Sequence, residues 1–303
     1  MKFAFQRLFL ATMLMTLLIL PSGVSRSEPG SEVVVKKPAA PSQSVTSLHQ
    51  WVVDRMLSWS PPGRSFIPDA KETPEDGKKR YSKIADSLIN VVYDPNERPI
   101  FTGKYGRAKT LALIASMSWF ESGYRRDVDM GLGRLGRGDG GRSWCMMQIL
   151  LGKPAPGTTH SPKRVYLASG GFKLISSPKD PLWAKSYGGE SLVKDRSACF
   201  RVGLHLARNS FRACGSLPIE DRLGVYGAGK CIPNWKPSRY RVRKAQNWLS
   251  AYKPPMKDAD VLKLLHPAPI PTMSFPKEKG EGSISYLKPM YEDEKHIFRA
   301  FYR

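Results

Sequence analysis

Where apolar residues recur at a regular interval in this 303-residue chain, the interval is that of a helix rather than that of a strand. The two clearest apolar stripes run through about 106–122 and 196–211. Their members are Leu113, Ile114, Met117 and Phe120 in the first, and Phe200, Leu204, Ala207 and Phe211 in the second. Residues three and four positions apart share one helix face, whereas alternation at every second residue, which marks a half-buried strand, is rare here. The pattern therefore predicts a mainly α fold.

Further elements follow from the same spacing and from residues that favour helix ends. Helices are predicted over about 45–59, 78–93, 144–151, 218–229 and, as the last one, 238–251. Gly123 is expected to end the helix at 106–122 as its C-terminal cap. Asp195 is expected to be the N-cap of the helix at 196–211. A glycine-rich loop is predicted over 123–143, and an irregular segment over 152–190.

The N-terminus has the composition of a secretory signal peptide. Lys2 and Arg7 form a basic start, Leu8–Leu20 is an uncharged and mostly apolar run, and small residues follow from Gly23. This arrangement predicts a signal peptide over 1–25 and an exported protein, either periplasmic or secreted. An uncleaved membrane anchor is the alternative, but the apolar run is shorter than the roughly 20 residues that a membrane span needs. We expect contact with a membrane only through the signal peptide.

Proline and serine mark the borders of the predicted folded part. Residues 26–43 are rich in both and are predicted to form a flexible linker. Residues 253–303 are rich in proline and are predicted to be a C-terminal extension. A single helical domain is therefore expected over 44–252.

The four cysteines, Cys145, Cys199, Cys214 and Cys231, all follow the signal peptide. An even number of cysteines in an exported chain indicates disulfides. Three pairings are possible, and we favour Cys214 with Cys231, the two nearest in sequence, which leaves Cys145 with Cys199. No cysteine spacing resembles a zinc site and the five histidines are scattered, so we expect no metal and no cofactor.

The net charge of +22, from 48 Lys and Arg against 26 Asp and Glu, favours an acidic partner. Outside the cytoplasm that partner would be an anionic cell-wall polymer or a membrane surface. Nucleic acid is the conventional alternative for such a basic chain, but the predicted signal peptide argues against it. The charge is also compatible with solubility alone.

Glu121 closes the apolar stripe at 106–122 and is preceded by Trp119 and Phe120. Burial against aromatic groups disfavours the charged form of a carboxyl group, so the pKa of Glu121 is expected to rise. A glutamic acid that keeps its proton near neutral pH is able to act as a general acid. The alternative is an ordinary surface glutamate at the end of a helix.

Three short segments, taken in order, resemble motifs of the lytic transglycosylase and goose-type lysozyme superfamily. They are Glu121–Tyr124 (ESGY), Cys145–Ile149 (CMMQI) and Val225–Gly229 (VYGAG). The family carries E-S-G-[FY], G-L-M-Q-I and A-Y-N-A-G at these places. The resemblance covers about 105–250 and implies a lysozyme-like helical domain with irregular loops. This sequence differs from the family motifs at two positions: Cys145 stands where the family usually has Gly, and Gly227 stands where it usually has Asn. The loop after Glu121 is also longer than is usual in the family.

The resemblance implies that the substrate is the glycan strand of peptidoglycan, cut between N-acetylmuramic acid and N-acetylglucosamine. Glu121 would protonate the glycosidic oxygen and then take a proton from the C6 hydroxyl of the muramic sugar, which closes a 1,6-anhydro ring. Gln148 and the backbone of Met147 would line the sugar groove. Tyr226 would orient Glu121 or the saccharide, and Ser143 would hydrogen-bond the muramyl substituent.

Several alternatives remain at this level. A hydrolytic lysozyme would use a second carboxylate to activate water, and Asp127, Asp129 and Asp139 in the loop after Glu121 are the candidates. A second alternative is a non-catalytic wall-binding protein, which would retain the sugar-binding groove but not the cleavage activity. The basic segment 236–244 (KPSRYRVRK) would grip wall carboxylates or phosphates, or else form a solvated helix face. Its interleaved Tyr240 also suits nucleic acid, but no nucleic-acid-binding motif is recognisable.

Overall fold

The computed structural model describes residues 43–63, 71–132, 138–153, 159–167 and 172–267. The predicted signal peptide (1–25) lies outside the described residues, as do nearly all of the predicted linker and the chain from 268 onward. No helix in the described part is long and apolar enough to cross a membrane.

The described chain is mainly α-helical, as predicted. The longer helices are α1 (Gln43–Trp59), α2 (Pro74–Val92), α3 (Gly106–Ser122), α7 (Arg196–Ala213), α9 (Lys236–Ala251) and α10 (Asp258–Leu265). The shorter ones are α4 (Arg126–Asp129), α6 (Gly189–Lys194) and α8 (Gly224–Ala228), with 3-10 turns at Trp183–Lys185 and Ile219–Asp221. The segment α5 (Gly138–Gly141) is a single turn with left-handed backbone angles at Asp139 and Gly140 rather than a regular helix.

Two small antiparallel hairpins complete the described elements. Strands β1 (Ser143–Trp144) and β2 (Ile149–Leu150) pair Trp144 with Ile149. Strands β3 (Lys163–Tyr166) and β4 (Phe172–Ile175) pair Tyr166 with Phe172.

Helix α3 lies at the centre of the hydrophobic core. All of residues 108–118 are buried, and α3 packs against α1, α2, α7, α9 and α10. A helix that is buried around its whole circumference is expected in the interior of a domain. Glu121 sits in the last turn of α3, so the core fixes the position of this carboxyl group.

The start of α3 is capped from a distant part of the chain. Tyr105, at the N-cap position, supplies no side-chain hydrogen bond. Instead, the carboxylate of Asp258 accepts hydrogen bonds from the backbone N–H groups of Arg107 at 2.7 Å and Ala108 at 3.1 Å. Asp258 begins α10, which lies beyond the predicted last helix and within the predicted extension. This part of the extension therefore packs on the helical core.

The prediction of a helix over 144–151 was wrong, because this segment forms the β1–β2 hairpin. Cys145 (φ 57°) and Gln148 (φ 47°) adopt left-handed backbone conformations that an α-helix does not contain. A short apolar run does not distinguish helix from strand by periodicity. The β3–β4 hairpin likewise falls within the segment predicted to be irregular.

The predicted disulfide pairing is confirmed. Cys145 is bonded to Cys199 and Cys214 to Cys231. The first bond joins the β1–β2 hairpin to α7, and the second joins the end of α7 to the segment after α8. Two disulfides are typical of proteins in an oxidising, extracytoplasmic environment.

Candidate active site around Glu121

The end of α3 holds Glu121 in a defined place. Gly123 is the C-terminal cap, as predicted, with the left-handed φ of 59° that glycine adopts without penalty. Its N–H donates to the carbonyl of Trp119, and its own carbonyl accepts a hydrogen bond from the Ser60 hydroxyl at 2.7 Å. The side chain of Glu121 is 17% exposed. The carboxyl group is therefore largely buried but retains access to solvent.

Arg241, from α9, is the direct partner of Glu121. Its Nη2 and Nε donate to Oε1 of Glu121 at 2.5 and 3.1 Å. The guanidinium lies 3.9 Å from the centre of the Phe120 ring, and Nη1 donates to the carbonyl of Pro237 at 2.9 Å. Arg241 is only 4% exposed, so it faces the interior and not an external polymer.

The sequence interpretation missed this pairing because it treated 236–244 as one basic segment. Of its cations, Arg239 forms a bidentate ion pair with Asp221, and Arg241 is buried. The helical period could have identified Arg241 as the buried cation of this segment. Arg241 lies three residues after buried Ser238 and four before buried Ala245, which places it on the inner face of α9.

Opposing effects act on the pKa of Glu121. Burial raises the pKa above its ordinary value, while the charge and hydrogen bonds of Arg241 lower it. The negative charge of Asp139 raises it further, and the net shift is upward. The C-terminal end of a helix also disfavours a negative charge. The direction agrees with the sequence prediction, with burial as the main cause.

The second and third family-like segments meet beside this carboxyl group. The Tyr226 hydroxyl, from α8, donates to the carbonyl of Met147 at 2.6 Å. Burial and the charge of Glu121 raise the pKa of Tyr226 well above its ordinary value, so this hydroxyl keeps its proton. The Met147 side chain is fully buried, and an added Cβ at Gly203 of α7 would lie 2.6 Å from its Cε. Met147 thus contributes its carbonyl to the site and its side chain to the core.

The two departures from the family-like motifs have local explanations. Cys145 adopts a left-handed conformation that glycine accepts freely, and its disulfide to Cys199 holds it there. At Gly227, an added Cβ would lie 2.4 Å from the ring of Trp235. No side chain fits at position 227 without displacing that tryptophan.

Gln148 is held by hydrogen bonds within the protein. Its Nε2 donates to the carbonyl of Cys145 at 3.0 Å, and its Oε1 accepts from the N–H of Gly138 at 2.8 Å. The side chain therefore ties the β1–β2 turn to α5. This arrangement gives Gln148 a role in shaping the site, in addition to any contact with a ligand.

Ser143 and Asp139 form a pair next to Glu121. The Ser143 hydroxyl is buried and donates to Oδ2 of Asp139 at 2.5 Å. Asp139 has a left-handed φ of 51°, and it is the carboxylate whose charge acts on Glu121. Ser143 thus orients Asp139.

The other two candidate carboxylates, Asp127 and Asp129, are buried at 0% and 3% exposure. Asp129 accepts two hydrogen bonds of 2.8 Å from Arg196 and lies 3.6 Å from Arg80. Asp127 forms an ion pair of 3.4 Å with Arg125. Asp129 is thus engaged in a structural ion-pair network, and neither carboxylate faces solvent.

Within the described ranges, no group of three or more His, Cys, Asp or Glu side chains is arranged to hold a metal ion. A scan of the chain against protein-family models gave no match, and searches of curated proteins and of solved structures found no similar protein. A functional assignment therefore depends on the geometry and chemistry of the Glu121 site, together with the resemblance of the three short segments.

Proposed function

We propose that this protein is a lytic transglycosylase that cleaves peptidoglycan strands between N-acetylmuramic acid and N-acetylglucosamine. The observation that carries the proposal is the setting of Glu121. This single carboxyl group is largely buried, has a raised pKa, and lies where three segments distant in sequence come together. The motif resemblance supplies the substrate class.

The contacts of Glu121 suit an acid that later serves as a base. Both hydrogen bonds from Arg241 end on Oε1, so we assign the transferable proton to Oε2. Glu121 gives this proton to the glycosidic oxygen as the bond to muramic C1 breaks through an oxocarbenium-like transition state. Arg241 then stabilises the resulting carboxylate, since a charged hydrogen bond is stronger than a neutral one.

The second step regenerates the acid. The Glu121 carboxylate takes the proton of the muramic C6 hydroxyl, and the C6 oxygen bonds to C1. The products are a strand ending in 1,6-anhydromuramic acid and a strand with a new N-acetylglucosamine hydroxyl. No water is consumed, so one carboxyl group is sufficient.

Mass spectrometry of purified sacculi digested by the mature chain tests the proposal. We expect 1,6-anhydromuramic ends from the wild type and none from Glu121→Gln, whose amide oxygen still accepts a hydrogen bond from Arg241. The matched control is Glu190→Gln, the same substitution at an exposed position, which should retain activity. Full activity of Glu121→Gln would contradict the catalytic assignment.

Hydrolysis is the second candidate function, and the position of Asp139 favours it. The charge of Asp139 acts on Glu121, and the hydroxyl of Ser143 orients the Asp139 carboxylate. A carboxylate that activates water must likewise lie near the general acid and be held in one orientation. Reducing muramic ends, heavier by one water, and an inactive Asp139→Asn variant would identify a lysozyme. Failure to release fragments from any wall type would instead indicate a wall-binding protein.

We further propose that the protein acts outside the cytoplasm, in the periplasm or after secretion. The two disulfides support an oxidising compartment, and the predicted signal peptide supports export. N-terminal sequencing of the mature chain should find a start close to residue 26. A mature chain that still begins at Met1 would support the membrane-anchor alternative.

A further inference from the structure

A group of aromatic side chains lies on the surface next to Glu121. Phe120 is 39% exposed and Tyr240 is 53% exposed, with ring centres 5.8 Å apart. Tyr240 also stacks beside Trp119 at 6.4 Å with an interplanar angle of 22°. The guanidinium of Arg241 lies over the ring of Phe120 in a cation–π contact. These contacts connect the rings to the partner of the catalytic carboxyl.

The rings rest on a rigid support. The indole N–H of Trp119 donates to the carbonyl of Trp59 at 3.2 Å, and their ring centres are 6.3 Å apart. Trp59 meets the edge of buried Trp248 at 5.4 Å, and Trp51 stacks on Trp248 at 4.1 Å. Four tryptophans from three helices thus contact one another, so the exposed rings are held in place before any ligand arrives.

Two cations lie among these rings. Nζ of Lys244 is 3.6 Å from the Trp119 ring centre and 4.6 Å from that of Trp59. The guanidinium of Arg55 is 4.0 Å from the ring centre of Tyr252. Burial and the charge of Arg55 lower the pKa of Lys244, so the two cations are close enough to repel each other.

No carboxylate in the described part of the chain forms an ion pair with Lys244 or Arg55. Nε of Arg55 is buried, and no hydrogen-bond acceptor for it is found among the described residues. Other basic residues of the same region have acidic partners, as Arg239 has Asp221 and Arg241 has Glu121. Two neighbouring cations that lack a counter-ion form a favourable site for an anionic ligand.

We propose that Trp59, Trp119, Tyr240, Lys244, Arg55 and Tyr252, here called the cationic–aromatic surface, form a second binding site for a carboxylate-bearing saccharide. The rings of Tyr240 and Tyr252, each 53% exposed, contact the apolar faces of the sugars, and Lys244 and Arg55 pair with the carboxylates. The choice of ligand rests on the proposed function, and the surface would hold part of the same strand that Glu121 cleaves. The phosphates of a nucleic acid would be attracted by the same two cations, so a nucleic acid is one of the ligands in the test below.

Fluorescence titration of the full mature chain carrying Glu121→Gln tests this proposal, because Trp59 and Trp119 report on ligand binding. The first ligand is soluble glycan strands stripped of stem peptides, so that the muramyl carboxylates are free. The second is a neutral N-acetylglucosamine oligomer, and the third is a single-stranded oligodeoxythymidylate. We expect the anionic glycan to bind most tightly.

Substitution of Lys244 gives the decisive comparison. Lys244→Gln should weaken binding of the anionic glycan about tenfold, because one hydrogen bond to a charged group contributes a free energy of about that size. Binding of the neutral oligomer should be nearly unchanged. Lys244→Arg should restore binding. The matched control is Arg243→Gln, which removes the same charge from the exposed side of α9 and should have little effect.

Three results would overturn the proposal. The first is equal weakening by Lys244→Gln and Arg243→Gln, which would mean that only the overall charge attracts the ligand. The second is unchanged affinity of Lys244→Gln for the anionic glycan. The third is tighter, Lys244-dependent binding of the oligonucleotide. Loss of wall cleavage in every assay, with Lys244-dependent glycan binding retained, would refute the proposed catalysis while supporting this surface.

Discussion

Arg241 and Glu121 form a largely buried pair in which two nitrogens of the guanidinium donate hydrogen bonds to one oxygen of the carboxyl group. The two residues are 120 positions apart in the chain and come from α9 and α3. Burial favours the protonated form of Glu121, and Arg241 favours the charged form. This competition suits a group that must first donate a proton and then accept one.

The first prediction concerns the alkaline limit of activity. Catalysis requires protonated Glu121 at the start, so activity should fall as the pH rises through the pKa of Glu121. Arg241→Met removes the charge that lowers this pKa, so the alkaline limit should move to higher pH. Arg241→Lys, which keeps the charge, should shift it less.

The pH profile of sacculus cleavage measures this effect. Arg243→Met, which removes a charge of the same sign from the outer side of α9, should leave the profile unchanged. A profile that is identical in Arg241→Met and the wild type would show that Arg241 does not control the ionisation of Glu121.

The second prediction separates the two disulfides. They close loops with sequence separations of 54 for Cys145–Cys199 and 17 for Cys214–Cys231. The chain-entropy relation gives about 4 and about 3 kcal/mol of stabilisation respectively. The carbonyl of Cys145 also accepts two hydrogen bonds from Gln148. Loss of the Cys145–Cys199 disulfide should therefore lower activity as well as stability.

Double alanine variants of each pair provide the comparison, since each pair serves as the control for the other. Denaturant unfolding should show a lower free energy of unfolding in both. Wall cleavage at a temperature where both remain folded should decrease mainly in Cys145→Ala/Cys199→Ala. Equal activities would argue against a role for the first disulfide in shaping the site.

The third prediction concerns stability in acid. Glu97 is buried, and although burial raises its pKa, hydrogen bonds and charges from His205 and Arg208 outweigh that effect and lower the pKa to about 2. A carboxyl group with a lowered pKa stabilises the folded state above its unfolded pKa, and this contribution is lost as the pH falls through about 2. The contribution near neutral pH is roughly 3 kcal/mol.

Glu97→Gln should therefore be much less stable than the wild type at pH 6, and the difference should nearly vanish at pH 2. Denaturant unfolding at both pH values measures the difference. The exposed Glu190→Gln serves as the control and should differ little from the wild type at either pH. A penalty for Glu97→Gln that is the same at both pH values would contradict the assignment.

The fourth prediction tests the distant cap of α3. Asp258→Ala removes the acceptor for two backbone N–H groups at the start of this buried helix, and also that of the Tyr93 hydroxyl at 3.0 Å. Loss of an N-cap costs about 1 kcal/mol, and the buried tyrosine hydroxyl adds to it. The exposed Asp260→Ala on the same helix is the control. Equal thermal melting temperatures for the two variants would refute the capping role.

Features that depend on neighbours in sequence were predictable. The limits of α3, the cap at Gly123 and the N-cap at Asp195, whose side chain accepts from the N–H of Ala198, all follow from residues within one turn of one another. The disulfide pairing was predicted because the nearest cysteines were chosen. The mainly α class follows from the period of the apolar residues.

The hairpin over 143–150 was not predictable by the same means. Its apolar residues fit either a helix or a strand, and the outcome depends on contacts with other elements. The disulfide from Cys145 to α7 and the hydrogen bond from Gly138 to Gln148 hold the chain in its left-handed turns. Propensity alone does not contain this information.

The sequence by itself determined that the chain is helical, that its cysteines pair, and that one glutamate closes an apolar helix. Only the tertiary structure decided which charge faces that glutamate. In the sequence, Arg241 was one of several cations in the basic segment 236–244. Asp139 was one of three carboxylates in the loop after Glu121. Their roles depend on burial and on distances between residues far apart in the chain. These quantities exist only after the helices have packed around α3.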